Sequence, residues 1–307
     1  MDSNSRIYVA GHTGLVGSAI FRELRKKGYP NLALSNSRVS DLRLRHNVEN
    51  YFETFKPEYV FLCAANVGGI SKAINKPVDL LSDNILIQTN VINACHEYGV
   101  KKLINFGSSC IYPVDGKQPY TEDQIGTGRT DENWSYAVAK LAGIELCRAY
   151  HRQHGSNFMS VIPCNLYGIN DRFDEYGHVI PSLIRKFHEH FFVRAWGNPE
   201  TKREFLFSDD LAKFCVQLME DGDYESLYDG IINVGSGEEV TMLELVETIR
   251  GIVNNTACYS FEGKSHKSGV PSKLMDSAIA YFNFGWEAKT TLEDGIRGVY
   301  DSYRARC

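Results

Sequence analysis

No stretch of this chain is apolar for long enough to cross a bilayer. The longest run is about "YVFLCAANV" at 59–67, far short of the roughly 20 residues that a spanning helix needs. Clustered positive charge is missing too, and the formal net charge is -5. Nothing therefore suggests a nucleic-acid partner or a membrane surface. Short basic pieces such as "RELRKKG" at 22–28 read as the wet faces of helices. The eight cysteines, at 63, 95, 110, 147, 164, 215, 258 and 307, form no Cys-x-x-Cys pair, which excludes a zinc ribbon and a thioredoxin-type motif. No histidines fall at metal-ligand spacing, so no metal is expected, and "HEH" at 188–190 reads as an exposed helix face. Repeats, low-complexity tracts and obvious linkers are absent. "RIYVAG" at 6–11 reads as a first strand rather than a signal-like segment. Several cysteines lie in apolar segments, where a thiol behaves as a small hydrophobe, so a reducing, cytoplasmic setting is expected.

What is present is enough chain, 307 residues of which 43% are hydrophobic, for one large core or two unequal lobes. The first half alternates short apolar runs with helical patterns. Strands are expected at 6–11, 32–35, 59–65, 102–108 and 158–165, and helices at 18–27, 44–55, 85–98 and 135–154. Nearly continuous apolar strands separated by helices indicate an α/β fold with a doubly wound parallel sheet of Rossmann type, covered on both faces. Its ligands are expected at the carboxyl ends of the strands. After Asn165 the pattern changes, with a loop-like stretch and then a helix at 180–191. The expected organisation is a dinucleotide-binding domain over 1–165 and a smaller interleaved substrate lobe over 166–307. The strand–helix unit 204–220 and the strand 230–236 are expected to return to the larger domain.

"VAGHTGLVGSAI" places glycines at 11, 14 and 17 between the first strand and the first helix. This is G-x-x-G-x-x-G, not the standard G-x-G-x-x-G, yet the same physical roles can be filled. One glycine permits the tight turn, another lets backbone N–H groups approach a pyrophosphate, and Gly17 lets the helix pack closely on the strand. The second strand runs into "SNSRVSD", with Ser37 and Arg38 but no carboxylate until Asp41. An NAD site usually places an acidic residue there for the ribose 2′-hydroxyl, whereas hydroxyls and a cation suit a 2′-phosphate. NADP(H) is favoured over NAD(H).

"WSYAVAK" sets Tyr136 and Lys140 four residues apart on one helix face. A neighbouring ammonium is expected to lower the phenol's pKa and make it a usable acid near neutral pH. Ser108 and Ser109 of "GSSCIYP" end the fourth strand, and Cys110 follows them. Read alone, Cys110 is either a small core filler or a thiol for proton transfer, and core filler is the default for the other seven cysteines. His178, opening "HVIPSL", is either a surface residue at a helix N-terminus or a second titratable group.

In order along nearly the whole chain, "GHTGLVG", "GSSCIYP", "YAVAK", "PCNLYG" and "REFLFSDDLA" resemble the extended short-chain dehydrogenase/reductase family. "AANVGGI" and "HVIPSLIRKFHE" narrow the resemblance to its branch of 3,5-epimerase/4-reductases acting on GDP-4-keto-6-deoxy-D-mannose. The resemblance implies GDP-L-fucose as product, NADP(H) as cofactor and a homodimer packed through the helices over 85–98 and 135–154. It implies Ser108, Tyr136 and Lys140 as the reductase triad, with Cys110 and His178 as the epimerisation pair. Around the cofactor it places Gly11, Thr13, Gly14, Leu15, Val16, Gly17, Ser37, Arg38, Asp41, Ala64, Ala65, Tyr136, Lys140, Pro163, Asn165, Leu166 and His178. Toward the substrate it places Ser108, Asn165, Lys186, Trp196, Arg203 and Asp276. An unperturbed thiol (about 8.5) and imidazole (about 6.5) bracket neutral pH, which suits reversible proton transfer.

The chain departs from the family pattern at four positions. Thr13 and Ser37 stand where the pattern has arginines that contact the 2′-phosphate. Lys186 replaces a substrate-contacting arginine, keeping the charge without the bidentate fork. Asn66 stands in place of a lysine. Two alternatives stay open: another nucleotide-sugar epimerase or reductase of the same fold, and a catalytically silent dinucleotide-binding protein. Against a dehydratase, the residues after the serines are Cys110 and Ile111 rather than an acidic pair. Against a silent protein, Ser108, Tyr136 and Lys140 all persist.

Overall fold

The computed structural model describes residues 1–34, 40–130, 134–262 and 270–307. In the first half, strands β1 (Ile7–Ala10), β2 (Leu32–Ala33), β3 (Tyr59–Leu62), β4 (Lys102–Phe106) and β5 (Phe158–Pro163) alternate with helices. These are α1 (Leu15–Lys26), α2 (Arg45–Phe55), α3 (Ile70–Asn75), α4 (Pro77–Glu97) and α5 (Trp134–His154). The second half carries β6 (Asn165–Tyr167), α6 (Val179–Glu189), β7 (Phe192–Trp196), β8 (Lys202–Phe207), α7 (Ser208–Asp221) and β9 (Ile231–Val234). It ends with β10 (Glu239–Thr241), α8 (Met242–Val253), β11 (Cys258–Glu262), α9 (Ala278–Phe284) and α10 (Leu292–Arg304).

Six strands form the main sheet in the order β2-β1-β3-β4-β5-β9, and every neighbouring pair is parallel. "IYVA", "YVFL" and "FMSVIP" are buried at every position, as a sheet covered on both faces requires. Because strand side chains alternate, Ile7, Val9 and Phe61 join one core with Ile20 and Leu24 of α1 and Leu211 and Phe214 of α7. Tyr8, Ala10, Val60 and Leu62 join the opposite one with Phe52 of α2, Val91 of α4 and Cys147 of α5. Each fully buried large apolar side chain contributes about 1.5–3 kcal/mol. Strand order reverses around β1, with β2 on one side and β3 on the other. The crevice at the carboxyl ends of β1 and β3 is where this topology places a ligand.

The smaller lobe has its own core, built from Ile184 and Phe187 of α6, Val246 and Ile249 of α8, and Ile296 and Val299 of α10. Its strands form two small sheets, β10-β8-β6 and β11-β7.

Several boundaries differ from the sequence reading for identifiable reasons. Helix α1 begins at Leu15 rather than Ser18, since Gly14 is its N-cap. Helix α4 reaches back to Pro77, and proline at a first helical position satisfies an end that lacks a hydrogen-bond partner anyway. The strand expected over 158–165 breaks after Pro163, and Asn165 opens β6 in another sheet. Of the unit at 204–220, only the helix lies on the main sheet, where Arg22 of α1 pairs with Asp209 of α7. Strand β8 pairs with β6 and β10 instead, while β9 lies beside β5 in the main sheet.

Candidate active site

The turn from β1 into α1 shapes one wall of a cleft of about 730 Å³. Gly11 has φ +84, and a Cβ there would lie 2.7 Å from the Ala64 nitrogen. A Cβ on Gly17 would lie 2.2 Å from the Gly11 carbonyl oxygen. These two glycines therefore permit the turn and the close helix–strand approach, and they do so from behind the wall. Gly14 has room for a Cβ, with nothing nearer than 3.5 Å, but it lines the cleft beside Thr13, Leu15 and Val16. The start of α1 thus opens on the cleft, and the N–H groups of a helix's first turn attract an anion. Replacing Gly17 by alanine is expected to cost at least about 1–3 kcal/mol through overpacking against backbone. The urea midpoint should fall and NADPH binding weaken together, and an unchanged midpoint would count against this packing role.

Strand β4 delivers the next residues. Ser108 is still extended, with φ -165 and ψ 148, but residues Ser109–Ile111 form a single 3-10 turn. The Ser108 Oγ accepts from the Cys110 amide at 3.5 Å. Extended geometry, which would have put Cys110 on the side of Ser108, does not persist. The turn nonetheless brings both residues to the same cleft, with Cys110 only 6% exposed.

Helix α5 presents Tyr136 and Lys140 one turn apart. The buried Lys140 Nζ donates to the Phe106 carbonyl at 2.7 Å and sits 5.7 Å from the centre of the Tyr136 ring. Burial lowers Lys140 to about 8, against the pull of Cys110 and Cys63. The expected depression of the Tyr136 pKa is not found. Burial pushes the phenol well above its ordinary value, and Cys110 adds in the same direction. Desolvation of a phenolate outweighs an ammonium that is bonded to a carbonyl and set off the ring.

Facing these residues are Pro163, Asn165 and Leu166, where β5 gives way to β6. Asn165 Nδ2 donates to the Glu204 carbonyl at 2.8 Å. The Glu204 carboxyl is fully buried and accepts from the amides of Gly237 at 2.8 Å and Met275 at 3.0 Å. Burial raises it to about 7 despite those bonds. It locks β8 to the segments beyond β9, and so fixes the strand against which Asn165 is held.

His178 caps α6 and lines the same cleft. Its Nδ1 lies 3.3 Å from Asp171 Oδ1, with the imidazole 40% exposed and the carboxylate side chain 3%. Burial opposes the imidazolium, but the hydrogen bond and charge of Asp171 carry its pKa above the ordinary value, with Arg172 opposing. Lys72 of α3 also faces the cleft, its Nζ on Asn66 Oδ1 and on the Val67 carbonyl. This ammonium stands against Asn66, the position that departs from the family pattern, and burial, helped by Arg172, lowers its pKa.

Toward the smaller lobe the cleft is lined by Lys186, Trp196, Arg203 and Lys273. Lys186 Nζ donates to the Arg194 carbonyl at 3.2 Å, and Arg203 Nη1 donates to the Val270 carbonyl at 2.9 Å.

Several of the expected positions lie outside this geometry. Asp276 does not line the cleft; its carboxylate accepts from the Ala278 amide at 2.8 Å, and Lys273 takes the cleft position instead. Asp41 is likewise turned away, bound by Arg43 Nη2 at 2.7 Å. Ser37 and Arg38 lie outside the described residues. Of the remaining cofactor positions, Ala65 lines the cleft and Ala64 packs behind Gly11. Asp171, Arg172, Lys72 and Lys273 were not singled out from sequence; the one signal was the charged loop "NDRFDEYGH" just before α6. The cysteines also sort differently from the expectation, with Cys63 on the cleft wall and Cys258 and Cys307 exposed. Among the described residues, no group of three His, Cys, Asp or Glu side chains is placed to hold a metal ion, and no helix is long and apolar enough to cross a membrane.

Residues 7–235 match the model of the NAD dependent epimerase/dehydratase family. The chain is 44% identical over 316 residues to GDP-L-fucose synthase 1 of Arabidopsis thaliana, covering 98% of this chain and 94% of that protein. A GDP-6-OMe-4-keto-L-xylo-heptose reductase from C. jejuni superposes with a TM-score of 0.95 at 32% identity, covering 100% and 99% of the two chains. A GDP-L-fucose synthetase from Naegleria fowleri, bound to NADP, gives a TM-score of 0.90 at 27% identity, covering 100% and 96%.

Proposed function

Because the chain belongs to the NAD dependent epimerase/dehydratase family, we propose that its cleft converts GDP-4-keto-6-deoxy-D-mannose to GDP-L-fucose, by epimerisation at C3 and C5 and then NADPH-dependent reduction at C4. One observation carries this reading. Cys110 and His178, far apart in sequence, line the same cleft as Ser108, Tyr136 and Lys140. The relatives named as GDP-L-fucose synthases support the choice of substrate.

The cradle around Gly11 and Gly17 and the open start of α1 suit a dinucleotide. Thr13, Gly14, Leu15 and Val16 would hold its pyrophosphate, and Ala65, Pro163 and Leu166 would flank the nicotinamide. When bound, the reduced nicotinamide supplies the hydride for C4.

The C4 ketone acidifies the hydrogens on C3 and C5, since the electron pair left behind spreads onto the ketone oxygen. At each centre in turn Cys110 takes the proton and His178, whose cation Asp171 favours, delivers one to the opposite face, both groups exchanging protons with solvent before the second inversion. Tyr136 then protonates the C4 oxygen, with the Ser108 hydroxyl bonded to that oxygen and Lys140 holding positive charge behind the ring. Asn165 orients the sugar, and Lys186, Trp196 and Arg203 receive the GDP end. The same reading has a cytoplasmic homodimer packed through α4 and α5. Exposed Cys258 and Cys307 without disulfides suit a reducing compartment.

NADPH absorbance should fall on adding the GDP-keto-sugar but not its dTDP counterpart. No consumption with either would reject the proposal. The fit to a GDP-keto-heptose reductase gives a second reading, reduction without epimerisation, which leaves C3 and C5 unexchanged with solvent.

A further inference from the structure

Asp171 is an unusual residue to find in a cleft wall. Its side chain is 3% exposed, and a buried carboxylate needs compensating charge or hydrogen bonds. Oδ1 accepts from the Arg172 amide at 2.8 Å and meets His178 Nδ1 at 3.3 Å. Oδ2 is buried and has no hydrogen-bond partner among the described residues. The guanidinium of the adjacent Arg172 is occupied elsewhere, bonding Asp174. Among the described residues, His178 is the one ion partner of this carboxylate.

We propose that Asp171 is the positioning residue of the epimerisation acid, holding the Nδ1–H of His178 so that Nε2 is the ring nitrogen presented to the sugar. The proposal rests on the reading of His178 given above. A carboxylate behind an imidazole fixes the tautomer and the ring plane, and favours the imidazolium that must donate. Among the charged groups acting on His178, Asp171 draws its pKa up and Arg172 pushes it down. The imidazole is therefore expected to stay protonated to a higher pH than an isolated one.

The test begins with the wild-type protein, by nitrogen NMR of labelled His178 above its pKa. The Nδ1–H tautomer is expected; an Nε2–H tautomer overturns the proposal. Asp171→Asn retains an acceptor for the Arg172 amide while removing the charge. In that variant the titration of His178 should move to lower pH, and inversion at C3 and C5 should slow roughly 10- to 100-fold. An unmoved titration, or a wild-type rate of inversion, overturns the proposal. His178→Gln separates the two claims. If inversion at C3 and C5 survives that substitution, the catalytic reading of His178 has failed, while the tautomer still reports on the Asp171 contact.

Discussion

Replacing Cys110 by serine is expected to slow solvent deuterium incorporation at C3 and C5 by about 10²- to 10⁴-fold, the usual contribution of a positioned general base. The substitution is close to isosteric, and the residue is only 6% exposed, so the packing of the turn should survive. What is lost is acidity. An ordinary thiol titrates near 8.5, whereas a serine hydroxyl holds its proton throughout the working range. NADPH binding should be unchanged, because the proposed dinucleotide cradle is built from the segments that follow β1, β3 and β5 rather than from Cys110. Reduction of a keto-sugar supplied already epimerised should also persist. Deuterium exchange followed by proton NMR reads the effect directly, and exchange at the wild-type rate would remove Cys110 from the role of base.

The converse variant is Tyr136→Phe. It keeps the ring and loses the one oxygen proposed to protonate C4. NADPH oxidation should fall by about 10²- to 10⁴-fold, while exchange at C3 and C5 continues. The unliganded cleft holds the phenol protonated, since burial pushes its pKa upward; this suits a donor better than a phenolate would. Lys140, lowered to about 8 by burial, loses its charge as pH rises through that value. Wild-type reduction is therefore expected to decline on the alkaline side earlier than an ordinary lysine would dictate. Persistent turnover in Tyr136→Phe would take this residue out of the reaction.

The two variants together separate the half-reactions, and the separability follows from how the site is built. Ser108 and Cys110 come from one strand end and its 3-10 turn, Tyr136 and Lys140 from one helix, and His178 from the smaller lobe. The large sheet was legible in the sequence because "IYVA" and "YVFL" are buried on both faces and so are apolar at every position. The first glycine turn was legible from its place between strand and helix, and Tyr136 and Lys140 from their spacing of one turn. The small sheets were not legible. β6 and β10 are three residues each, too short for a period-two pattern to register. Which residue of "SKLMD" faces the cleft depends on the bridge between Tyr120 and Met275, and no local pattern reveals that Lys273 rather than Asp276 points inward. The contact of Asp171 with His178 spans a loop without periodicity. The sign of the shift at Tyr136 turns on desolvation, a property of the assembled fold rather than of the helix carrying it.

The most direct test of the whole account is one incubation in deuterated water with protium-labelled NADPH and GDP-4-keto-6-deoxy-D-mannose, followed by NMR identification of the product. The account predicts GDP-L-fucose carrying deuterium at C3 and C5 and protium at C4. A reduced 6-deoxyhexose with protium retained at C3 and C5 would show a simple reductase and contradict it.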